Sequence, residues 1–311
     1  MLSIGILTHN SPVTLKNTLM SYRDGGLLEY TDDIKCLIQP SPLSNIEISI
    51  CNEFNITYIL ETENTMMAGG IKRLVNESKY NYFLFLESDF RCCKNKIITK
   101  EILDFAIYNL ENNSFDVIRL RNLKNPGHPI HWNLQKREGI NYSDNRELYL
   151  CTHYLKDPHL IYPDYIQKIS SDPILYQISS MNCVYTNNAN ITSKKFYINN
   201  IFPFIKNGCH LEPEIGGAWA YLNNYKIGIT SGIFSHNRID GHLNVDGINN
   251  KNCYCCPKYL GGISDNINCV CCTIPYIPTE YRIENLSDIK NDIIDEDYIQ
   301  NISLNLKLNY F

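Results

Sequence analysis

Tyr82-Phe83-Leu84-Phe85-Leu86-Glu87-Ser88-Asp89-Phe90 is an apolar run that stops abruptly at two carboxylates flanking one small residue. A run without polar alternation fits a strand buried on both faces of a sheet. Glu87 and Asp89 then stand at its carboxyl end. Ligands of open α/β sheets collect just outside the carboxyl ends of the strands, and paired carboxylates there offer hard oxygen ligands to Mg2+ or Mn2+. A metal-bound phosphate suits such a place. The competing reading is that the pair caps the turn that follows.

The first 120 residues supply the context. Ser3 to Thr8 is strand-like, and Ser11-Pro12 starts a helix with Leu15, Leu19 and Tyr22 on one face, closed by Gly25-Gly26. Ile34 to Gln39 and Ile56 to Leu60 read as two further strands. Met66 to Ser78 carries Met67, Ile71, Leu74 and Val75 at helical spacing and delivers the chain to the Tyr82 strand; a second amphipathic helix follows near Thr99 to Glu111. Alternating strands and helices predict a parallel sheet.

This order resembles the nucleotide-sugar glycosyltransferases of the GT-A fold, in particular the large inverting family with a Thr-x-Asn-like end to its first strand and an Asp-x-Asp motif. The matching pieces are Leu7-Thr8-His9-Asn10 and Glu87-Ser88-Asp89, with Glu in place of the first Asp. The resemblance covers residues 1–120 best, is patchy over 183–242, and is absent from the cysteine segment and tail. It implies a Rossmann-like, mostly parallel α/β sheet flanked by helices, and a donor site that includes Thr8, His9, Asn10 and Ser88. By the same resemblance Asp89 ligates Mn2+ or Mg2+ at the donor diphosphate, while Glu87 contacts donor ribose or sugar. Relatives end their second strand in an acidic residue that reads the base. Gln39-Pro40-Ser41 stands there instead, which leaves the base open.

Thr65 to Arg73 places Gly69, Gly70, Lys72 and Arg73 in the opening turns of a helix, where close backbone approach and the helix dipole favour an anion. Lys72 and Arg73 are therefore candidates for donor contact. The other reading is that the glycines permit close helix–sheet packing and the cations are solvated. From Asn122 to Tyr176 periodicity fades among prolines, histidines and tyrosines, the pattern of a functional lid or acceptor loop. Trp132 offers a flat face for a sugar ring. Order returns at Asn182 to Thr192, followed by the basic start of a short helix at Ser193-Lys194-Lys195-Phe196.

Leu211-Glu212-Pro213-Glu214-Ile215 is the second constellation. Pro213 suits a first helical position, Ile215, Ala218, Trp219 and Leu222 continue one apolar face, and Glu212 falls at the N-cap. In the family that this chain resembles, a helix here begins with an acidic pair whose Asp deprotonates the acceptor hydroxyl. The match places Glu212 on that base, with Glu214 in reserve. The alternative is that both carboxylates complement a helix N-terminus, an effect of about 0.3–1 kcal/mol. Lys226 to Thr230 reads as a strand and Gly232 to Arg238 as a further extended piece. Metal-dependent relatives complete the metal shell with a histidine after the last strand. His236 holds that place, with His242 as competitor.

Six of the 13 cysteines form a repeated Cys-x-Cys-Cys, and Cys253, Cys256, Cys269 and Cys272 read as two knuckles with near zinc-ribbon spacing. Structural Zn2+, disulfides and unmodified thiols are all compatible with it. The tail alternates Ile302, Leu304, Leu306, Leu308 and Tyr310 with polar residues, the pattern of a half-buried strand that pairs with the main sheet or with a second subunit in a homodimer. The expected division is a glycosyltransferase domain over 1–245, with a nucleotide-binding half over 1–120 and an acceptor half over 121–245, and a small Cys-rich appendage over 246–311.

A net charge of -5 with no basic stripe argues against a nucleic-acid partner. No apolar stretch reaches the roughly 18–20 residues of a membrane span, and Met1 to Thr8 lacks the features of a signal peptide. The expectation is a soluble cytoplasmic protein, in the host-cell cytoplasm if the source is viral. The function expected is metal-dependent transfer of a sugar, inverting with a retaining outcome as the alternative, from a nucleotide-diphosphate sugar, a UDP-sugar favoured, to a hydroxyl of a glycan or protein. A nucleotidyltransferase is the enzymatic alternative, although Thr8-His9-Asn10-Ser11 is not the glycine-rich phosphate loop such an enzyme normally has. A zinc-stabilised nucleotide- or sugar-binding module is the non-enzymatic one.

Overall fold

The computed structural model describes residues 1–123, 157–183, 185–205 and 224–236, together with Leu211, Glu212, Ile215 and Trp219. The expectations for Trp132, Glu214, His242, the four knuckle cysteines and the alternating tail lie outside the described residues.

Strands and helices alternate as expected, and α2, α3, β5 and β6 add to the elements read from the sequence: β1 (Leu2–Thr8), α1 (Pro12–Asp24), α2 (Leu27–Tyr30), β2 (Ile34–Ile38), α3 (Ser44–Glu53), β3 (Thr57–Leu60), α4 (Met66–Glu77), β4 (Tyr82–Glu87), β5 (Phe90–Cys92), α5 (Lys96–Glu111) and β6 (Val117–Arg121). A hairpin of β7 (Ile166–Ser171) and β8 (Ile174–Ser179), then β9 (Asn190–Ser193) and β10 (Lys226–His236), complete the sheet. Its order is β3-β2-β1-β4-β9-β6-β10-β8-β7, with β5 attached to β10. Neighbours from β3 to β4 are parallel, as are β6 and β10; β9, β8 and β5 run against their neighbours. Seven of the ten described strands therefore point one way.

The period of two in β1 and β4 divides the interior into two layers. Ile4, Ile6, Leu84 and Leu86 pack with Leu15, Leu19 and Tyr22 of α1 and Leu103 of α5. Leu7, Phe83 and Phe85 face the other way, against Ile71 and Leu74 of α4 and against Trp219. Gly70 makes this second contact possible, because a Cβ there would lie 2.7 Å from Leu7 Cδ1. The small residues at the start of α4 thus serve close helix–sheet packing.

Three local expectations change. The 82–90 run breaks at Ser88: its amide donates to the Leu7 carbonyl at 2.9 Å, and the chain turns before Phe90 opens a new strand. Within the supposedly irregular 122–176 region, β7 and the first half of β8 are strands, hidden in the sequence because β7 buries little beyond Ile166. The two extended pieces around Thr230 and Phe234 are one bulged strand, β10. Among the described residues no helix is long and apolar enough to cross a membrane.

At the amino ends of the strands, Asp33 ties three segments together. Its carbonyl accepts from Ile4 N at 2.9 Å, its carboxylate accepts from Lys79 N at 2.7 Å, and Lys35 pairs with it. Burial acts to raise the Asp33 pKa but is outweighed by Lys35, the Ser3 hydroxyl and the Lys79 amide, so the carboxyl sits below its ordinary range. A depressed folded pKa means stabilisation that is present above the unfolded value near 3.9 and lost as pH falls through the folded one. Asp33→Asn should cost about 1–3 kcal/mol near neutral pH, and the deficit should shrink in acid. Denaturant melts of both proteins at about pH 7 and about pH 3 measure it; a gap that stays constant would contradict the assignment.

Candidate active site at the carboxyl ends of the strands

Asp89 and His236 meet because β5 pairs antiparallel with the end of β10. The register sets Phe234 opposite Cys92, Ser235 opposite Arg91 and His236 opposite Phe90, the residue after Asp89. His236 Nε2 lies 3.2 Å from Asp89 Oδ2, and the imidazole packs edge-on to Phe90 with ring centroids 5.1 Å apart. Asp89 is 6% exposed, and His236 Nδ1 is buried with no hydrogen-bond partner among the described residues. Helix α1 holds β5 in place: Tyr22 Oη donates to Phe90 O at 2.7 Å, and Cys92 N donates to Ser21 Oγ at 3.0 Å. Burial, then the Cys92 thiol and Asp89, push the Tyr22 pKa up, which keeps its hydroxyl a donor.

A bulge aims β10 at this point. Between two paired positions, Ile229 with Arg119 and Phe234 with Arg121, five residues of β10 advance against two of β6. Gly232 sits inside the bulge at φ +73°, where a Cβ would fall 2.1 Å from Arg121 O. Asn122 fastens the bulge, donating from Nδ2 to Gly232 O at 2.9 Å and from its amide to Phe234 O at 2.7 Å.

The Phe90 ring and, beyond it, a chain of polar contacts join the Asp89–His236 pair to Glu212. The Arg121 guanidinium stands 5.7 Å over the Phe90 ring and donates to Asn188 Oδ1 at 2.7 Å. Asn188 Nδ2 donates to Thr186 Oγ1 at 2.6 Å, and Thr186 Oγ1 donates to Glu212 Oε1 at 3.0 Å. The same Glu212 oxygen accepts from Asn187 N at 2.9 Å. Glu212 itself is exposed, while Leu211, Ile215 and Trp219 of its helical segment are buried, Trp219 against Tyr185 at 5.2 Å. Leu211 is already helical, so Glu212 is not the N-cap; its carboxylate closes the 186–188 loop instead.

The expected donor contacts divide. Thr8 is buried and its hydroxyl donates to Glu47 Oε1 at 2.7 Å, which also accepts from Ser11 N at 3.0 Å. Gln39 is equally committed, donating to Thr65 Oγ1 and Met66 O and accepting from Thr65 N, all within 3.1 Å. Both side chains act as internal fasteners here, as buried polar atoms usually do. The Ser88 hydroxyl likewise lies 3.1 Å from that of Ser11. His9 is exposed and Asn10 half-buried just beyond β1, with Asn10 at φ 53° and its Oδ1 lacking a partner among the described residues. Glu87 is half-buried at the end of β4. Arg73 pairs with Glu77 at 3.3 Å and Lys72 is exposed. Lys194 caps the end of α4, donating to Ser78 O at 2.9 Å.

Sequence reading passed over Arg121, Asn188 and the fully buried Glu47. The signal for Arg121 was Val117-Ile-Arg-Leu-Arg121, a buried strand with two cations on one face ending where Glu87 and Asp89 end theirs.

Among the described residues no group of three or more His, Cys, Asp or Glu side chains is placed to hold a metal ion. The Asp89–His236 pair still fits Mg2+ or Mn2+ in the manner of nucleotide sites, where one or two protein groups suffice and phosphate oxygens and water complete the shell. His236 Nε2 beside the buried Asp89 carboxylate is the observation consistent with that donor set.

No family model and no curated protein matches the chain. Among solved structures it is similar to S. aureus TarS 1-349, at 17% identity and TM-score 0.46 over 75% of this chain and 59% of that one. It is also similar to S. aureus TarS, at 14% identity and TM-score 0.47 over 77% of this chain and 37% of that one. A cytidylyltransferase from Leptospira borgpetersenii serovar Hardjo-bovis gives 10% identity and TM-score 0.32 over 40% of this chain and 56% of that one. The chain thus spans less than two thirds of each of these structures.

The bulge makes a direct prediction. Gly232→Ala puts a methyl group against the Arg121 backbone, which cannot give way as a side-chain tip can, and adds left-handed strain of about 1 kcal/mol or more. The variant should melt markedly lower than Gly228→Ala, whose Cβ meets only side chains, none nearer than 3.1 Å. Thermal melts of the two side by side decide it; equal losses would remove the special role of the bulge.

Proposed function

We propose that the chain is a metal-dependent glycosyltransferase that moves a sugar from a nucleotide-diphosphate donor, a UDP-sugar first among candidates, to an acceptor hydroxyl with inversion. The observation that carries this reading is the Asp89–His236 pair at the carboxyl end of the sheet, joined through the Phe90 ring, Arg121, Asn188 and Thr186 to an exposed Glu212. Asp89 and His236 would hold the cation, which when bound offsets charge on the departing nucleoside diphosphate. Glu212 takes the proton of the acceptor hydroxyl as that oxygen bonds to the anomeric carbon and the sugar–diphosphate bond breaks. Two donors fix Oε1, so the carboxylate is oriented before substrate arrives. Arg121 holds the loop that does this.

The decisive assay is nucleoside diphosphate release over a panel of sugar nucleotides, with Mn2+, Mg2+ or chelator, beside thermal shifts with the same ligands. Asp89→Asn should abolish metal-dependent turnover and weaken diphosphate binding in Mn2+, because the amide keeps the shape but loses the anion. Glu212→Gln should keep donor binding while turnover falls by about 10²- to 10⁴-fold. Full activity in both variants would sink the proposal. Release of pyrophosphate would point to nucleotidyl transfer, and a stabilising nucleotide without turnover to a binding module.

Arg121→Gln separates positioning from chemistry. It removes the guanidinium that steadies Asn188, and turnover should fall with donor affinity retained. Recovery in Arg121→Lys would assign the effect to charge rather than to the planar fork.

A further inference from the structure

A cavity of about 590 Å³ opens at the amino ends of β1 and β4, on the far end of the sheet from Asp89. Seven residues of β1 separate the two ends, roughly 20 Å at the usual rise of a strand. Nothing in the transfer chemistry uses it. Its volume lies in the range of small-ligand sites.

Its lining has a definite chemistry. Tyr30, Tyr80 and Tyr108 contribute rings, and Leu2 and Ile107 supply buried apolar surface beneath them. Two of the rings are tethered through their hydroxyls: Tyr30 Oη donates to Asp104 Oδ1 at 2.7 Å, and Tyr80 Oη donates to Asp32 Oδ1 at 2.5 Å. Burial and the bond to Asp104 push the Tyr30 pKa far up, so that tether persists at any physiological pH. Tyr108 is 64% exposed and leaves its ring open to solvent. The charges of the lining are largely paired, Lys96 with Glu29 at 2.6 Å and Lys100 with Asp104.

This combination excludes some ligands. Both lining lysines are already paired, Lys96 with Glu29 and Lys100 with Asp104, and Lys79 is held by Asp32, so a phosphate or other strong anion finds no spare lysine in the lining. A purely apolar ligand would strand the paired ions that rim the cavity. A neutral polyhydroxylated ring satisfies both surfaces: its C–H face stacks on preorganised tyrosine rings, and its hydroxyls reach carboxylate and ammonium groups whose positions are already set. We propose that this cavity binds an oligosaccharide, as a site separate from the one at the carboxyl ends of the strands. The proposal does not rest on the transfer reaction and stands or falls without it.

The test uses the full chain without nucleotide, with maltohexaose, cellohexaose and chitohexaose as probes, followed by saturation-transfer NMR and calorimetry. At least one hexasaccharide should receive saturation on its ring protons. Tyr108→Ala and Tyr80→Ala should each weaken it roughly two- to tenfold, the loss expected of one stacked ring. Melting temperature checks the fold, and the exposed Tyr108 makes its variant the safer of the two. Asp89→Asn should bind the sugar as the parent does. Absence of transfer to all three sugars overturns the proposal. So does binding lost in Asp89→Asn but kept in Tyr108→Ala, which would put the sugar at the other end of the sheet. Displacement of bound sugar by spermine at equal concentration would also overturn it, by showing a site for cations.

Discussion

The short antiparallel pairing of β5 with the last residues of β10 is the constraint on which the candidate site depends. Three residue pairs in this register bring together side chains 147 positions apart in number, Asp89 and His236, at 3.2 Å. Neither strand would take this course alone. The chain leaves β4 because Ser88 is held by the end of β1, and β10 reaches β5 because five of its residues pass two of β6 at the Gly232 bulge. The bulge is a device for re-aiming a side chain, at the cost of a position that admits only glycine.

Polar atoms in the interior explain why the site is rigid. Thr8, Ser11, Ser88 and Glu47 form one buried group behind the Glu87–Asp89 turn, and Gln39 fastens the end of β2 to the start of α4. Satisfied buried polar groups gain only modest net stability, but each lost partner strands another at a cost of about 1–3 kcal/mol. Such a group therefore tolerates few alternative arrangements, which suits a place where a carboxylate must keep its geometry.

The two ends of the sheet have opposite characters. At the carboxyl end, His236 pairs with Asp89, and the Arg121 guanidinium stands over the Phe90 ring and reaches Glu212 through Asn188 and Thr186, with charge brought in from separate strands and a helix. At the amino end, carboxylates and lysines are matched locally and tyrosine rings stand between them. The first arrangement can move charge and the second can hold a neutral surface, which is why one end of the sheet reads as reactive and the other as a cradle.

Local chemistry alone determined much of this protein. Helices α1, α4 and α5 and strands β1 to β4 were legible because apolar period and cap residues act within a dozen positions, and Asp89 and His236 stood out because each ends an extended run. Other features answered to distant partners. Thr8 and Gln39 have the residue types of ligand contacts, and only the packing of α3 and α4 shows that Glu47 and Thr65 claim them first. Glu212 has the spacing of a helix cap, yet its oxygen serves a loop about 25 residues earlier, as its contact with Asn187 shows. Arg121 and the β7–β8 hairpin were missed because their stabilisation comes from cross-strand neighbours rather than from their own periodicity. A sequence records which groups a segment offers; which of them remain available to a ligand is settled when the sheet brings together residues that chain order keeps apart.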